Sequence, residues 1–151
     1  AEDGIRDLVR SRGLGDVYKR QIVSVEISPR MMRDLCKLSE FRPGLIPVLG
    51  DARKSSVISP YLRSKVDWIH QDISVADQTK SFLKISEIFL KDGGIGLLSL
   101  KAASERWVEG GDDSRFELAK ELIESNSRLT LIDNVDISYY EGQHRVFIIR
   151  K

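Results

Sequence analysis

The sequence predicts an open α/β sheet that closes with an antiparallel hairpin, within a single domain. Three observations carry this. From Ile22 onward, strand-like runs rich in β-branched residues alternate with stretches of helical period. A charged residue recurs at or near the end of one strand-like run after another, at Glu26, Asp51, Asp72 and Lys101. Two late apolar runs flank the tight connection Tyr139-Tyr140-Glu141-Gly142-Gln143. With 151 residues, 41% of them hydrophobic, the chain can bury one core of ordinary domain size.

Residues 1–21 stand apart from this pattern. They show no helical or strand period, and they resemble the conceptual translation of a sequencing-library adapter. The other reading is a natural basic arm that binds nucleic acid. Setting residues 1–20 aside removes five basic and four acidic side chains and leaves nineteen of each. The remainder is formally neutral. A protein that grips phosphate backbones unaided carries a basic surplus, so any nucleic acid is expected to be held by something else.

The elements follow in order. Residues 22–27 read as a strand that stops at Ser28-Pro29, where proline can open a helix over residues 30–40. Cys36 lies in that helical pattern beside Leu35. As the single cysteine it cannot form an internal disulfide, which fits a reducing compartment, and buried filler is expected rather than a nucleophile. After Arg42-Pro43-Gly44 comes a short strand over 45–49, closed by Gly50-Asp51. Residues 52–64 read as an irregular connection with a helical turn near Tyr61, and residues 66–71 as a third strand ending in Asp72.

A helix over 76–90 places Phe82, Ile85 and Phe89 on one face, and Asp92-Gly93-Gly94 is expected to stop it. Residues 95–100 form the fourth strand. A helix over 112–126 turns Phe116, Ala119, Leu122 and Ile123 inward, and residues 129–137 and 144–149 make the hairpin. This order describes a Rossmann-like sheet. Such sheets open with a strand and a glycine-rich turn, whereas residue 22 begins what reads as the second strand. The first strand is therefore expected to be missing. No stretch reaches the roughly 18–20 apolar residues of a membrane span, and no signal peptide opens the chain, so a soluble, intracellular protein without a membrane partner is expected.

Open parallel sheets bind ligands beyond the carboxyl ends of their strands, which makes the four strand-end charges candidates. Glu26 either accepts hydrogen bonds from the hydroxyls of a ribose or caps the following helix. Asp51 belongs either to the same site or simply to the turn after Gly50. Lys101 ends the apolar run Leu97-Leu98-Ser99-Leu100, where burying an ammonium group costs several kcal/mol, so it must reach water, a partner or a substrate. Asp72 and Lys101 end adjacent strands and either form a salt bridge or share a site. His144 is a partly exposed polar residue or a member of that site. His70, Trp68 and Trp107 read as structural or surface residues, and no metal is expected.

The blocks "VSVEIS", "RPGLIPVLGDAR", "VDWIHQDISVADQ", "FLKDGGIGLLSLKA" and "YYEGQHRVFIIRK" resemble, in order and spacing, the fibrillarin family of RNA 2'-O-methyltransferases over residues 22–151. The resemblance implies an S-adenosylmethionine-dependent methyltransferase sheet working in a box C/D guide ribonucleoprotein on rRNA or tRNA. It implies a Nop-domain scaffold protein and a kink-turn-binding ribosomal-type protein as partners. Glu26 resembles the acid that holds the cofactor ribose, Asp51 and Ala52 the pair beside the adenine, and Asp72 a residue on the cofactor side as well. Asp72, Lys101 and His144 resemble three members of a Lys-Asp-Lys-His catalytic group whose first lysine, like the glycine-rich turn, would lie upstream of Ile22. Val75 stands where the family has glutamine, while Asp77-Gln78 is retained. The compactness is closer to archaeal members, implying a cytoplasmic protein, or a nucleolar one in a eukaryote. In this reading Lys101 accepts the proton of a ribose 2'-hydroxyl, Asp72 orients the amine, and His144 positions ribose or phosphate. The alternatives are a catalytically silent assembly subunit, a methyltransferase for a non-RNA substrate and, least favoured, a nicotinamide dehydrogenase.

Overall fold

The computed structural model describes residues 21–106, 109–140 and 142–151. They fall into two compact units, one ending at Leu62 and the other running Arg63–Lys151. Residues 1–20 and Trp107, for which the sequence carries expectations, lie outside the described residues.

In the first unit, β1 (Ile22–Glu26) pairs in parallel with β2 (Leu45–Leu49), from Ile22 opposite Leu45 to Glu26 opposite Leu49. The crossover is α1 (Pro29–Glu40). Its start follows the local chemistry: Ser28 is extended, its hydroxyl accepts the Met31 N–H, and Pro29 occupies the first turn, where a missing N–H costs nothing. Met32 is buried, and Leu35 and Ser39 are half-buried at spacings of three and four. Cys36 falls one position off that face and is exposed, which corrects the expectation of buried filler. Between β2 and the second unit, where the sequence predicts an irregular connection, the chain forms a short helix α2 (Ser55–Ile58) and a 3-10 turn over Ser59–Tyr61. A Cβ on Gly50 would sit 2.6 Å from Val57 Cγ1, so glycine is what lets this connection close on the end of β2.

The second unit is a four-stranded mixed sheet in the order β3-β4-β6-β5. Its elements are β3 (Val66–Gln71), α3 (Gln78–Phe89), β4 (Leu90–Lys101), a 3-10 turn over Ala102–Ser104, α4 (Gly111–Glu124), β5 (Thr130–Asp136) and β6 (His144–Arg150). β3 and β4 are parallel, while β6 runs antiparallel to both neighbours. The predicted inward residues of both helices, Phe82, Ile85, Phe89, Phe116, Ala119 and Ile123, are buried, and Leu122 packs against them in part. Leu98, Leu100, Phe147 and Ile149 supply the sheet side of the core.

Three further expectations are corrected. The helix predicted over 76–90 begins only at Gln78, because Asp77 adopts a left-handed conformation (φ 60°) that a right-handed helix cannot include. Asp92-Gly93-Gly94 does not form a stop: Leu90 is already extended, and residues 91–94 make a bulge inside β4. The register shows it, since β3 advances two residues from Val66 to Trp68 while β4 advances from Leu90 to Ile95. Gly93, at φ 78°, donates its N–H to the Lys151 carbonyl (2.8 Å), and Gly94 accepts from the Lys151 N–H (3.1 Å), which returns the bulge to the ladder. Finally, the single open sheet is divided into two sheets. A ladder needs strands side by side, and no described strand pairs with both β1 and β3. No helix among the described residues is long and apolar enough to cross a membrane.

Candidate active site

In the second unit, three of the predicted residues collect at one end of the sheet. Asp72 follows the last residue of β3, Lys101 closes β4, and His144 opens β6 directly opposite Lys101. Cross-strand partners project from the same face, so Lys101 and His144 share one. Burial along β4 explains how an ammonium group ends an apolar run: Gly94, Gly96, Leu98 and Leu100 are buried, whereas Ile95, Leu97, Ser99 and Lys101, on the alternate face, are half-buried. Asp72 is exposed, and among the described residues no ion pair joins it to Lys101, so the salt-bridge reading is not realised.

His144 is 5% exposed, and its Nδ1 lies 2.8 Å from the Gly142 carbonyl oxygen. A carbonyl only accepts, so Nδ1 carries the hydrogen, and this bond fixes both the tautomer and the ring orientation. His70, read as structural, is exposed on β3, with Nε2 2.9 Å from the Ser99 hydroxyl and its ring 5.9 Å from that of Trp68.

A polar network that sequence reading missed surrounds the end of β4. Gln78 is fully buried, and its carboxamide meets the Lys101 main chain: Nε2 donates to the Lys101 carbonyl (3.1 Å) and the Lys101 N–H donates to Oε1 (3.4 Å). Gln71, also buried, donates from Nε2 to the Gln78 carbonyl (2.9 Å). The Asp77 N–H donates to Glu105 Oε1 (2.7 Å), and the Arg106 guanidinium grips Asp77 Oδ2 from Nε (2.8 Å). That Arg106 bond, ahead of the Arg106 and Lys80 charges, holds the Asp77 carboxyl below its ordinary range. The retained Asp77-Gln78 pair in "VADQ" was the available signal, but residue types alone did not reveal that the glutamine turns inward.

In the first unit, the predicted cofactor residues share the carboxyl edge of β1 and β2. The Gly50 N–H donates to the Glu26 carbonyl (2.9 Å), bringing the Gly50-Asp51-Ala52 turn up to the end of β1. Glu26 Oε1 accepts the Ser28 N–H (2.6 Å), so the helix-entry role open to it in the sequence is realised. A carboxylate has about four acceptor positions, and capacity for ribose hydroxyls remains. Asp51 is bound by Arg53 on both oxygens, at 2.9 Å from Nε to Oδ1 and 2.8 Å from Nη2 to Oδ2, and also accepts the Arg53 N–H (3.0 Å). Arg53 lowers the Asp51 pKa to about 2. Two acceptor side chains beside a tight turn fit the hydroxyl and amine donors of a nucleoside, with Glu26 the less committed of the two.

Comparison with known proteins identifies the family. The family model described as Fibrillarin matches residues 5–151. The chain is 35% identical over 129 residues to a fibrillarin-like rRNA/tRNA 2'-O-methyltransferase of Methanococcus voltae, covering 84% of this chain and 54% of that protein. Among solved structures, a fibrillarin/Nop5p complex superposes with a TM-score of 0.78 at 26% identity, covering 87% of this chain and 61% of the other. Aeropyrum pernix fibrillarin with natively bound S-adenosyl-L-methionine superposes at 0.67 with 27% identity, covering 85% and 55%. The chain thus spans a little over half the length of the proteins it matches. With a model match over nearly its whole length, the chain belongs to the fibrillarin family.

Proposed function

We propose that this chain carries the transfer chemistry of an S-adenosylmethionine-dependent RNA 2'-O-methyltransferase acting on rRNA or tRNA. The observation that carries the reading is the cross-strand pairing of Lys101 with His144 at the carboxyl end of β4, with Asp72 following the end of the neighbouring strand β3. When bound, S-adenosylmethionine supplies an electrophilic methyl group. Glu26 holds ribose hydroxyls of the cofactor, with Asp51 and Ala52 beside its base. Methylating a ribose 2'-oxygen requires alignment and removal of the hydroxyl proton. The Lys101 amine takes that proton, the Asp72 carboxylate orients the amine and stabilises the ammonium that forms, and His144, its ring fixed through Nδ1, seats the ribose or phosphate.

The partners come from the family, and the charge is consistent with them. The fibrillarin resemblance implies a Nop-domain scaffold, a kink-turn-binding protein and a box C/D guide RNA that present the target, and a formally neutral 21–151 segment, which does not grip a phosphate backbone unaided, fits that arrangement. The fibrillarin/Nop5p complex supports the scaffold. The setting would be the cytoplasm of an archaeal cell or the nucleolus of a eukaryotic one. The test is to assemble the protein with scaffold and guide RNA, supply labelled S-adenosylmethionine, and map the label in the target. Label on the ribose 2'-oxygen of one guided nucleotide is expected. Cofactor binding without transfer would favour the silent assembly subunit, and label on a base or on protein would favour another substrate class.

A further inference from the structure

We propose that Gln78 is a positioning residue for Lys101, acting through the main chain; the inference rests on the reading of Lys101 as proton acceptor. The last register pair between β3 and β4 is Gln71 opposite Leu98. β4 runs on to Lys101, and beyond Leu98 its edge toward β3 pairs with no strand among the described residues. Buried main-chain N–H and C=O groups must find partners. At Lys101 a side chain supplies them. A primary carboxamide carries one acceptor and donors on one planar group, the complement of a peptide unit, and Gln78 uses both on the same residue, at 3.1 and 3.4 Å. Its carboxamide stands in for the next peptide group of β3.

The neighbours of Gln78 hold it to this task. Gln71 donates to its carbonyl at 2.9 Å. The residue before it, Asp77, is left-handed and is fixed by Glu105 and Arg106 from the segment just after β4. On the opposite edge, the Ala102 N–H donates to the Gln143 carbonyl at 3.0 Å. The Lys101 backbone is therefore clamped from α3 on one side and from the residue preceding His144 on the other. A lysine side chain has four rotatable bonds, so the direction in which its stem leaves the backbone governs where the amine spends its time. A misplacement of ~1 Å can cost about 100-fold in rate.

The test uses the protein assembled with its scaffold and guide RNA. Gln78→Met keeps the length and burial of the side chain and removes both hydrogen bonds; Gln78→Glu keeps the acceptor for the Lys101 N–H. We expect Gln78→Met to lower kcat about 10- to 100-fold with the KM for RNA and the Kd for S-adenosylmethionine unchanged, and Gln78→Glu to recover part of the loss. Amide exchange at Lys101 should quicken at least about tenfold in Gln78→Met while exchange at Phe147 in the core stays slow. Wild-type kcat in Gln78→Met, with Lys101→Ala inactive, overturns the inference alone. Activity retained by Lys101→Ala overturns the reading beneath it. If both Gln78 variants fail to fold, exchange in the unmodified protein decides: a Lys101 amide exchanging at the rate of an unprotected one overturns the proposal, and a slow one supports it.

Discussion

Leu100 and Lys101 are consecutive and face opposite ways, one fully buried and the other half-exposed on the face shared with His144. The sequence showed a charge closing an apolar run and so assigned Lys101 to a strand end, but the alternation itself was not legible, because Leu97, Leu98 and Leu100 show no period of two. Nor was it legible how each acid is spent. Glu26 caps the entry to α1 as well as ending β1, and Asp51 is held by Arg53; such local choices depend on side-chain rotamers, not on residue type. The Asp51–Arg53 pair gives a pH prediction. A carboxyl lowered from its ordinary 3.8 to about 2 binds its proton less readily when folded than when unfolded. Its contribution is complete above about pH 4 and is lost as the pH falls through about 2. In a carbon-13 titration, Arg53→Ala should raise the Asp51 midpoint toward 3.8, whereas an unmoved midpoint would show that the guanidinium is not the cause.

Among the elements, the helices and most strands were readable because each shows its own hydrophobic period. The exceptions lie where backbone conformation overrides pattern. Asp77 at positive φ shortens α3, and the bulge at residues 91–94 turns an apparent turn into part of β4. Cys36 was misassigned because the inward face of α1 is narrow, set by Met32, Leu35 and Ser39, and a position one residue away already faces out. The packing of β4 yields a stability prediction. A Cβ on Gly96 would lie 2.9 Å from both Ile149 Cγ1 and Phe82 Cζ, and neither can retreat from a filled core. Gly96→Ala should therefore destabilise the protein by about 1–3 kcal/mol in a denaturant titration; a midpoint equal to that of the unmodified chain would mean that the core has slack there.

For the whole molecule, the alternation of elements was enough to read the α/β class, but not the division of the strands into two sheets, because strand adjacency is decided by long-range pairing that no local pattern encodes. β3 and β5 are the edges of the four-stranded sheet, and Trp68, Ile132 and Val135 on them are exposed. Unpaired edges carrying apolar side chains recruit other chains. The isolated 151-residue chain should self-associate at micromolar concentration by light scattering, and a persistent monomer would contradict this. The central claim remains the chemistry at the end of β4. Its most direct test is the single-turnover methyl-transfer rate of Lys101→Ala in the assembled particle, measured alongside the Kd for S-adenosylmethionine. The account predicts a rate lower by about 10²–10⁴-fold with cofactor affinity unchanged; a rate within about twofold of the unmodified protein would contradict it.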